Sequence, residues 1–192
     1  MTKRIFLSIW PSVEVLIAIK SLQDTLRKKN LPIIWTEPEK IHLTLNFLGK
    51  MPHTDINEVK KMVQEATQNL QSFTLKFPFL ETLYKKHDDS LIYLSVGGEV
   101  ENLEVLQKEL AETIVEVAAQ PKRYMPHISI GKVKRLDPEA TKQTLNTISD
   151  LELELNIPEI RVEKFSLYES ILHGDKATYQ KIRDFNLSSS SH

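Results

Sequence analysis

The chain has no cysteine, which excludes disulfides, thiolate metal sites and a cysteine nucleophile. Nowhere do about 18 apolar residues run together, so no helical membrane span is available and no membrane partner is expected. The first residues, "MTKRIFLSIWP", begin basic but hold only a strand's length of apolar residues and lack a small-residue cleavage site. No secretory leader is read there, and a reducing cytoplasm is the expected location. Neither charge is in excess: 25 Lys and Arg stand against 26 Asp and Glu, a net charge of −1. That balance argues against a protein that coats long nucleic acid by neutralising many phosphates. A small or terminal phosphate remains compatible with it.

What is present is the composition of an ordinary folded protein, 41% hydrophobic and 27% charged over 192 residues, enough to bury one core. Ile5, Leu7 and Ile9 alternate with Phe6, Ser8 and Trp10, a strand with two faces. Pro11 ends it, and Ser12 caps a helix whose apolar side is Val15, Leu16, Ile19, Leu22 and Leu26. Ile41, Leu43, Leu45 and Phe47 return to period two until Gly49 and Pro52 stop the strand; Thr54 caps a second helix, and a strand over Phe73, Leu75, Phe77 and Phe79 follows.

The order then repeats. A strand at 91–96, a helix from about Glu99 to Ala118, a strand at 126–133, a helix started by Asp137 and Pro138, and an alternating strand through Leu151, Leu153, Leu155 and Ile157 match the first half at offsets of roughly 78 to 86 positions. This reads as an internal duplication. A hairpin from Ile160–Ser170 and Ala177–Phe185, turning at "HGDK" through Gly174 and Asp175, completes the chain. Residues 1–187 are expected to form one bilobed domain, and 188–192, which include "SSSSH" and have nothing to bury, a disordered tail.

Two short stretches stand in corresponding strands, "HLTL" from His42 and "HISI" from His127, 85 positions apart. In extended backbone side chains alternate, so His42, Thr44 and Asn46 face away from Ile41, Leu43, Leu45 and Phe47. In the second strand His127, Ser129 and Gly131 face away from Ile128 and Ile130. Each strand therefore presents an imidazole and a hydroxyl roughly 7 Å apart. Across a pseudo-two-fold axis the strands would lie side by side or face each other. Imidazole titrates near neutrality, so two of them can divide a proton donor's work from an acceptor's. With two hydroxyls for non-bridging oxygens, this suits in-line displacement at phosphorus without a metal. Lys132 and Arg123 are candidate cations for the phosphate, within 121–135, which hold five Lys or Arg and no acid.

One histidine before Leu-Thr is usually a packed or solvated residue; two in corresponding elements are a pair. Neither motif strand has an acid on the histidine face, so iron or zinc is a weak reading and no cofactor is expected. His53, His87, His173 and His192 read as solvated. Trp10, Trp35, Tyr84 and Tyr124 can stack on a base at a cleft rim, although ordinary packing is the commoner role, as it is for Tyr168 and Tyr179.

These motifs resemble those of the two-histidine phosphoesterase superfamily, and most closely the RNA 2′,3′-cyclic phosphodiesterases, also called 2′-5′ RNA ligases. The resemblance runs through "RIFLSIWP", "IHLTLNFLG", "RYMPHISIGK", "FSLYESIL" and "ATYQKI". It implies an α+β, bilobal, internally duplicated fold with two mainly antiparallel sheets facing each other across a central cleft, helices outside. The cleft is expected between the strands at 41–48 and 127–133. It also implies metal-independent opening of an RNA 2′,3′-cyclic phosphate to a 2′-phosphomonoester, with His42 as proton donor and His127 as proton acceptor. Thr44, Ser129 and Lys132 would bind substrate, Lys132 where many relatives carry arginine. The expected partner is an RNA with a 2′,3′-cyclic phosphate end or a small cyclic nucleotide, acted on by a monomer. Reversible 2′-5′ ligation, phosphodiesterase action on small cyclic nucleotides or 2′-5′ oligonucleotides, and a non-catalytic RNA-end binding module are the other readings.

Overall fold

A computed structural model describes residues 2–115, 124–134, 137–174 and 176–189. Strand β1 (Thr2–Ile9) buries Ile5, Leu7 and Ile9 as the alternation requires. Helix α1 (Val13–Arg27) is capped by the Ser12 hydroxyl, which accepts from the Val15 N–H at 3.4 Å, and buries Val15, Ile19, Leu22 and Leu26. Strand β2 (Ile33–Trp35) and a 3-10 turn over Pro38–Lys40 lead to His42 and then β3 (Leu43–Pro52). Helix α2 (Ile56–Thr67), strands β4 (Phe73–Lys76), β5 (Leu80–Leu83), β6 (Ser90–Ser95) and β7 (Gly97–Gly98), and helix α3 (Val100–Thr113) follow. The chain continues through β8 (His127–Val133), α4 (Pro138–Ser149), β9 (Ile160–Val162), β10 (Lys164–His173) and β11 (Lys176–Asn186). The Asp137 carboxylate accepts from the N–H groups of Glu139 and Ala140, with Pro138 opening the α4 helix. This is the start its sequence predicts.

The strands form two antiparallel sheets. The larger runs β11-β10-β1-β3-β8-β6-β5, with β2 also on β8; the smaller is β7-β4-β9. The α+β class and antiparallel sheets expected from the sequence are present. Of the two placements open for the histidine strands, the structure has them side by side: β3 meets β8 at the single pair Leu43↔Ile128, both side chains fully buried. The third strands of the two halves likewise meet, β4 against β9.

The duplication extends to backbone irregularity. In the first half Ile9 pairs with Leu43 and Ser8 with Thr44, and the register then shifts so that Leu7 pairs with Asn46. In the second, Leu94 pairs with Ile128 and Tyr93 with Ser129, and the same shift pairs Ile92 with Gly131. Every one of these positions is related to its counterpart by 85 residues. Each histidine strand thus carries one extra residue just after its hydroxyl, Leu45 in one and Ile130 in the other, a β-bulge that resets which face later side chains take. Buried Gln23 of α1 supports the second bulge, its Nε2 donating to the carbonyls of Thr36 (2.9 Å) and Ile130 (2.8 Å).

That reset corrects the simple alternation. Phe47, expected on the apolar face, is 66% exposed, whereas Asn46, expected beside His42, is buried. Gly49 does not stop β3: its φ of +72° serves a second bulge, opposite Ile5, and the strand runs on to Pro52. Thr54 is not a cap, because a 3-10 turn over His53–Asp55 precedes α2 and no side chain caps it. Leu151, Leu153, Leu155 and Ile157 do alternate in burial and pack on the core, yet they form no strand because among the described residues no neighbour offers ladder hydrogen bonds. The pairing segment is β9, in the smaller sheet, so the hairpin proper begins at Lys164. It turns at Gly174, φ +61°; Asp175 lies outside the described residues, as does the expected end of the third helix at 116–118. Ser188 pairs with Gln71, and its hydroxyl donates to the Gln68 carbonyl, so ordered contacts pass the expected boundary at 187; residues 190–192 lie outside the described ones.

Candidate active site

One face of the large sheet is buried by Ile5, Leu7, Leu43, Leu45, Ile92, Leu94, Ile128 and Ile130. The opposite face floors a cavity of about 520 Å³, within the range of small-ligand pockets. His42, Thr44, His127 and Ser129 all line it. Two pairs of residues 85 positions apart converge because β3 and β8 adjoin and each turns its non-core face the same way.

The two histidines are held alike. His42 Nδ1 lies 2.8 Å from the Lys40 carbonyl and His127 Nδ1 lies 2.9 Å from the Met125 carbonyl, in each case two residues back. A carbonyl oxygen only accepts, so Nδ1 carries the proton and Nε2 is left as the ring nitrogen for a ligand. Their surroundings differ. His42 sits among rings: Trp10 stacked at 5.2 Å, Phe6 tilted at 5.2 Å and Tyr179 edge-on at 5.4 Å between centroids. Among the described residues His127 meets one ring, Tyr93, edge-on at 5.5 Å. Burial lowers the pKa of His42 below the usual imidazole value; the Lys40 carbonyl opposes this and the charge of His127 adds to it. Tyr93, desolvated and donating to Glu81 at 2.6 Å, has its phenol pushed up to about 12, so it remains a neutral wall beside His127.

A stability effect follows from His42. Below the unfolded imidazole's value of about 6.5, the unfolded chain binds a proton that the folded chain resists, so stability falls with pH until His42's own lower value is passed. Above 6.5 both states are neutral at this residue and it contributes no slope. Thermal midpoints measured from pH 7 to pH 5 should therefore fall further for the native sequence than for His42→Gln. Parallel curves would contradict it.

The wall is electropositive. Arg4, Lys40 and Lys50 line it, and no Asp or Glu does among the described residues. Lys132 is not on that wall. The bulge turns it away from the core, where unbroken alternation with Ile128 and Ile130 would have put it, but its Nζ is 2.7 Å from Asp89. Arg123 lies outside the described residues. Sequence reasoning missed Arg4 and Lys50. Arg4 shares the period-two face of Phe6 and was legible in principle; Lys50 was not, because two bulges intervene between it and His42.

The aromatic residues divide. Trp10, Tyr168 and Tyr179 surround His42 and Phe6, while Trp35 packs under Arg27 and Tyr84 under Lys142. Tyr124 is structural to the site, its hydroxyl donating to the Thr44 carbonyl at 3.1 Å. His53, His87 and His173 are exposed and away from the cavity. Among the described residues no three His, Cys, Asp or Glu side chains converge as metal ligands would, and no helix is long and apolar enough to cross a membrane.

Comparison with known proteins bears on this geometry. An RNA 2′,3′-cyclic phosphodiesterase of Aquifex aeolicus is 27% identical over 176 residues, 88% of this chain and 92% of its own. One from Methanocaldococcus jannaschii is 24% identical over 183 residues, 95% and 99% of the two chains. The fold matches the apo crystal structure of E. coli LigT with a TM-score of 0.76 at 16% identity, covering 97% of this chain and 98% of that one. It also matches TT0787 of Thermus thermophilus with a TM-score of 0.72 at 21% identity, covering 98% and 100%. The sequence profile that matches residues 11–171, spanning both histidine strands and most of β10, decides the kinship: the chain belongs to the 2′-5′ RNA ligase superfamily.

Proposed function

We propose that the protein hydrolyses a 2′,3′-cyclic phosphate at an RNA end to the 2′-phosphomonoester, without a metal, by paired histidine acid–base catalysis. The observation that carries this is the equivalent placing of His42 and His127 in one repeated, bulged strand pair, both Nδ1 atoms tied to backbone carbonyls and both rings on one electropositive cavity. The relatives named RNA 2′,3′-cyclic phosphodiesterases, aligned over most of both chains, support the same substrate.

His127 Nε2 takes a proton from water as the water oxygen attacks phosphorus. The phosphorus–O3′ bond breaks in line, and His42 Nε2–H delivers its proton to O3′. Thr44 and Ser129 donate to the non-bridging oxygens, where negative charge concentrates in the transition state. His127 ends protonated and His42 neutral, and exchange with solvent restores both. Burial works against the starting state by favouring neutral His42; the anionic phosphodiester reverses this on binding, since a nearby negative charge favours imidazolium. With an RNA hydroxyl in place of water the same displacement forms a 2′-5′ linkage, a minor path because water outnumbers RNA ends.

The test is product analysis after incubation with RNA ending in a 2′,3′-cyclic phosphate, with EDTA present. A 2′-phosphomonoester formed at an undiminished rate is the expected result. A 3′-phosphate product, or loss of activity in EDTA, would sink this reading; tight binding without turnover would favour an RNA-end binding module.

A further inference from the structure

Beyond the histidines the cavity wall carries two cations that no described acid neutralises. Arg4 of β1 and Lys50 of β3 are direct cross-strand partners, both exposed, and among the described residues neither forms an ion pair. Their neighbours do: Lys3 bonds Glu169 and Lys40 bonds Glu37 at 2.7 Å. Like charges placed opposite one another weaken a strand pair, so this arrangement costs stability unless an anion bridges it. On its other side Arg4 pairs with Ser170 of β10. Lys50, Arg4 and Ser170 thus form a row of donors across three adjacent strands, and all three line the main cavity and also a smaller one, whose wall holds Glu169 engaged by Lys3.

Between this row and the Thr44–Ser8 row lies an aromatic row, Phe47 opposite Phe6 opposite Tyr168. Phe6 and Phe47 have centroids 6.2 Å apart, and Phe47 leaves 66% of its surface open. From Ser8 to Arg4 the strand advances roughly 13 Å, and the Arg4 and Lys50 side chains still reach the wall of the main cavity. A row of rings, tilted 40° between Phe6 and Phe47 and open chiefly at Phe47, with the two histidines at one end and the two cations at the other, matches a nucleotide that bears phosphate at both ends of its ribose.

We infer that Lys50, Arg4 and Ser170 bind a second phosphate, the one on the 5′ side of the ribose whose 2′,3′ end lies at the histidines. This rests on the proposed function for what the histidines hold, and it narrows the substrate class to 5′-phosphorylated ends. Both an RNA chain, through its last internucleotide diester, and a mononucleotide 5′-phosphate carry that group.

The experiment compares affinities of the full chain for adenosine 2′-phosphate and adenosine 2′,5′-bisphosphate by titration calorimetry, beside a dinucleotide ending in a 2′-phosphate. The 5′-phosphate should tighten binding roughly ten- to hundredfold, and Arg4→Gln or Lys50→Gln should bring that ratio close to one. Lys61→Gln, which removes an exposed charge on α2 away from the cavity, should leave it unchanged. Added salt should weaken bisphosphate binding less in each variant than in the native sequence, because one fewer charge pair is screened. Thermal midpoints of the two variants without ligand should be no lower than that of the native sequence, which separates lost binding from misfolding. A native ratio near one, or a ratio kept in both variants, overturns the inference. A gain shared by the dinucleotide identifies RNA as the source of the phosphate; a gain confined to the bisphosphate identifies a mononucleotide. Turnover of a cyclic phosphate on the same samples judges the catalytic reading separately, because the affinity ratio does not depend on it.

Discussion

His42→Ala and His127→Ala should each lower kcat on a nucleoside 2′,3′-cyclic phosphate by about 10² to 10⁴, the range attached to one general acid or base. The size alone does not separate the roles; the pH profile does. A base works only when neutral, so rate is lost as pH falls, and a general acid works only when protonated, so rate is lost as pH rises. If His127 is the acceptor, His127→Ala erases the acidic limb of the bell and leaves the alkaline one. If His42 is the donor, His42→Ala erases the alkaline limb instead. The lowered pKa of His42 adds a second expectation. The alkaline limb of kcat/KM, which reports the free protein, should lie at lower pH than that of kcat, which reports the complex with its phosphate anion. Interchanged limbs would reverse the assignment, and full activity in either variant would remove paired-histidine catalysis altogether.

Ile128→Ala should damage stability and catalysis together. Ile128 is fully buried and is the residue of β8 that pairs with Leu43 of β3, where the two histidine strands meet. Truncating a buried isoleucine costs about 2–5 kcal/mol, a large fraction of a total stability of about 5–15 kcal/mol. Its neighbours His127 and Ser129 face the cavity, so relaxation of the strand into the space left behind displaces both. A displacement near 1 Å costs on the order of a hundredfold in rate. Urea unfolding and kcat/KM on the same sample read the two effects, and Ile128→Val, at about 0.5–1.5 kcal/mol, should retain most activity. An Ile128→Ala protein as stable and as active as the native one would show that the junction does not position the site.

Elements whose apolar residues repeat at a clear period were readable in advance. Ser12 and Asp137 start their helices as their residue types require, and β1, β6, β8 and the hairpin lie where alternation put them. Alternation misled where hydrogen bonding rather than side-chain pattern decides the outcome. Leu151 to Ile157 have a strand's pattern and burial rhythm without a pairing partner. Phe47 and Lys132 take faces that a strict period of two forbids, because one extra residue after each hydroxyl resets the phase. Lys132 is also engaged by Asp89, which sits in a different segment of the chain.

By itself the sequence determined that two matching strands each place an imidazole and a hydroxyl on the face opposite the core, since strand geometry and the repeated order require no tertiary information. Local chemistry of this kind extends to the hydroxyl positions Thr44 and Ser129 but no further. Only the tertiary structure decided that the strands adjoin at Leu43 and Ile128, that burial and rings treat His42 differently from His127, and that Arg4 and Lys50 line the wall in place of Lys132. Those outcomes depend on which edges pair and where the ladder slips by one residue. Both are set by contacts between segments tens of residues apart, which no window of sequence contains.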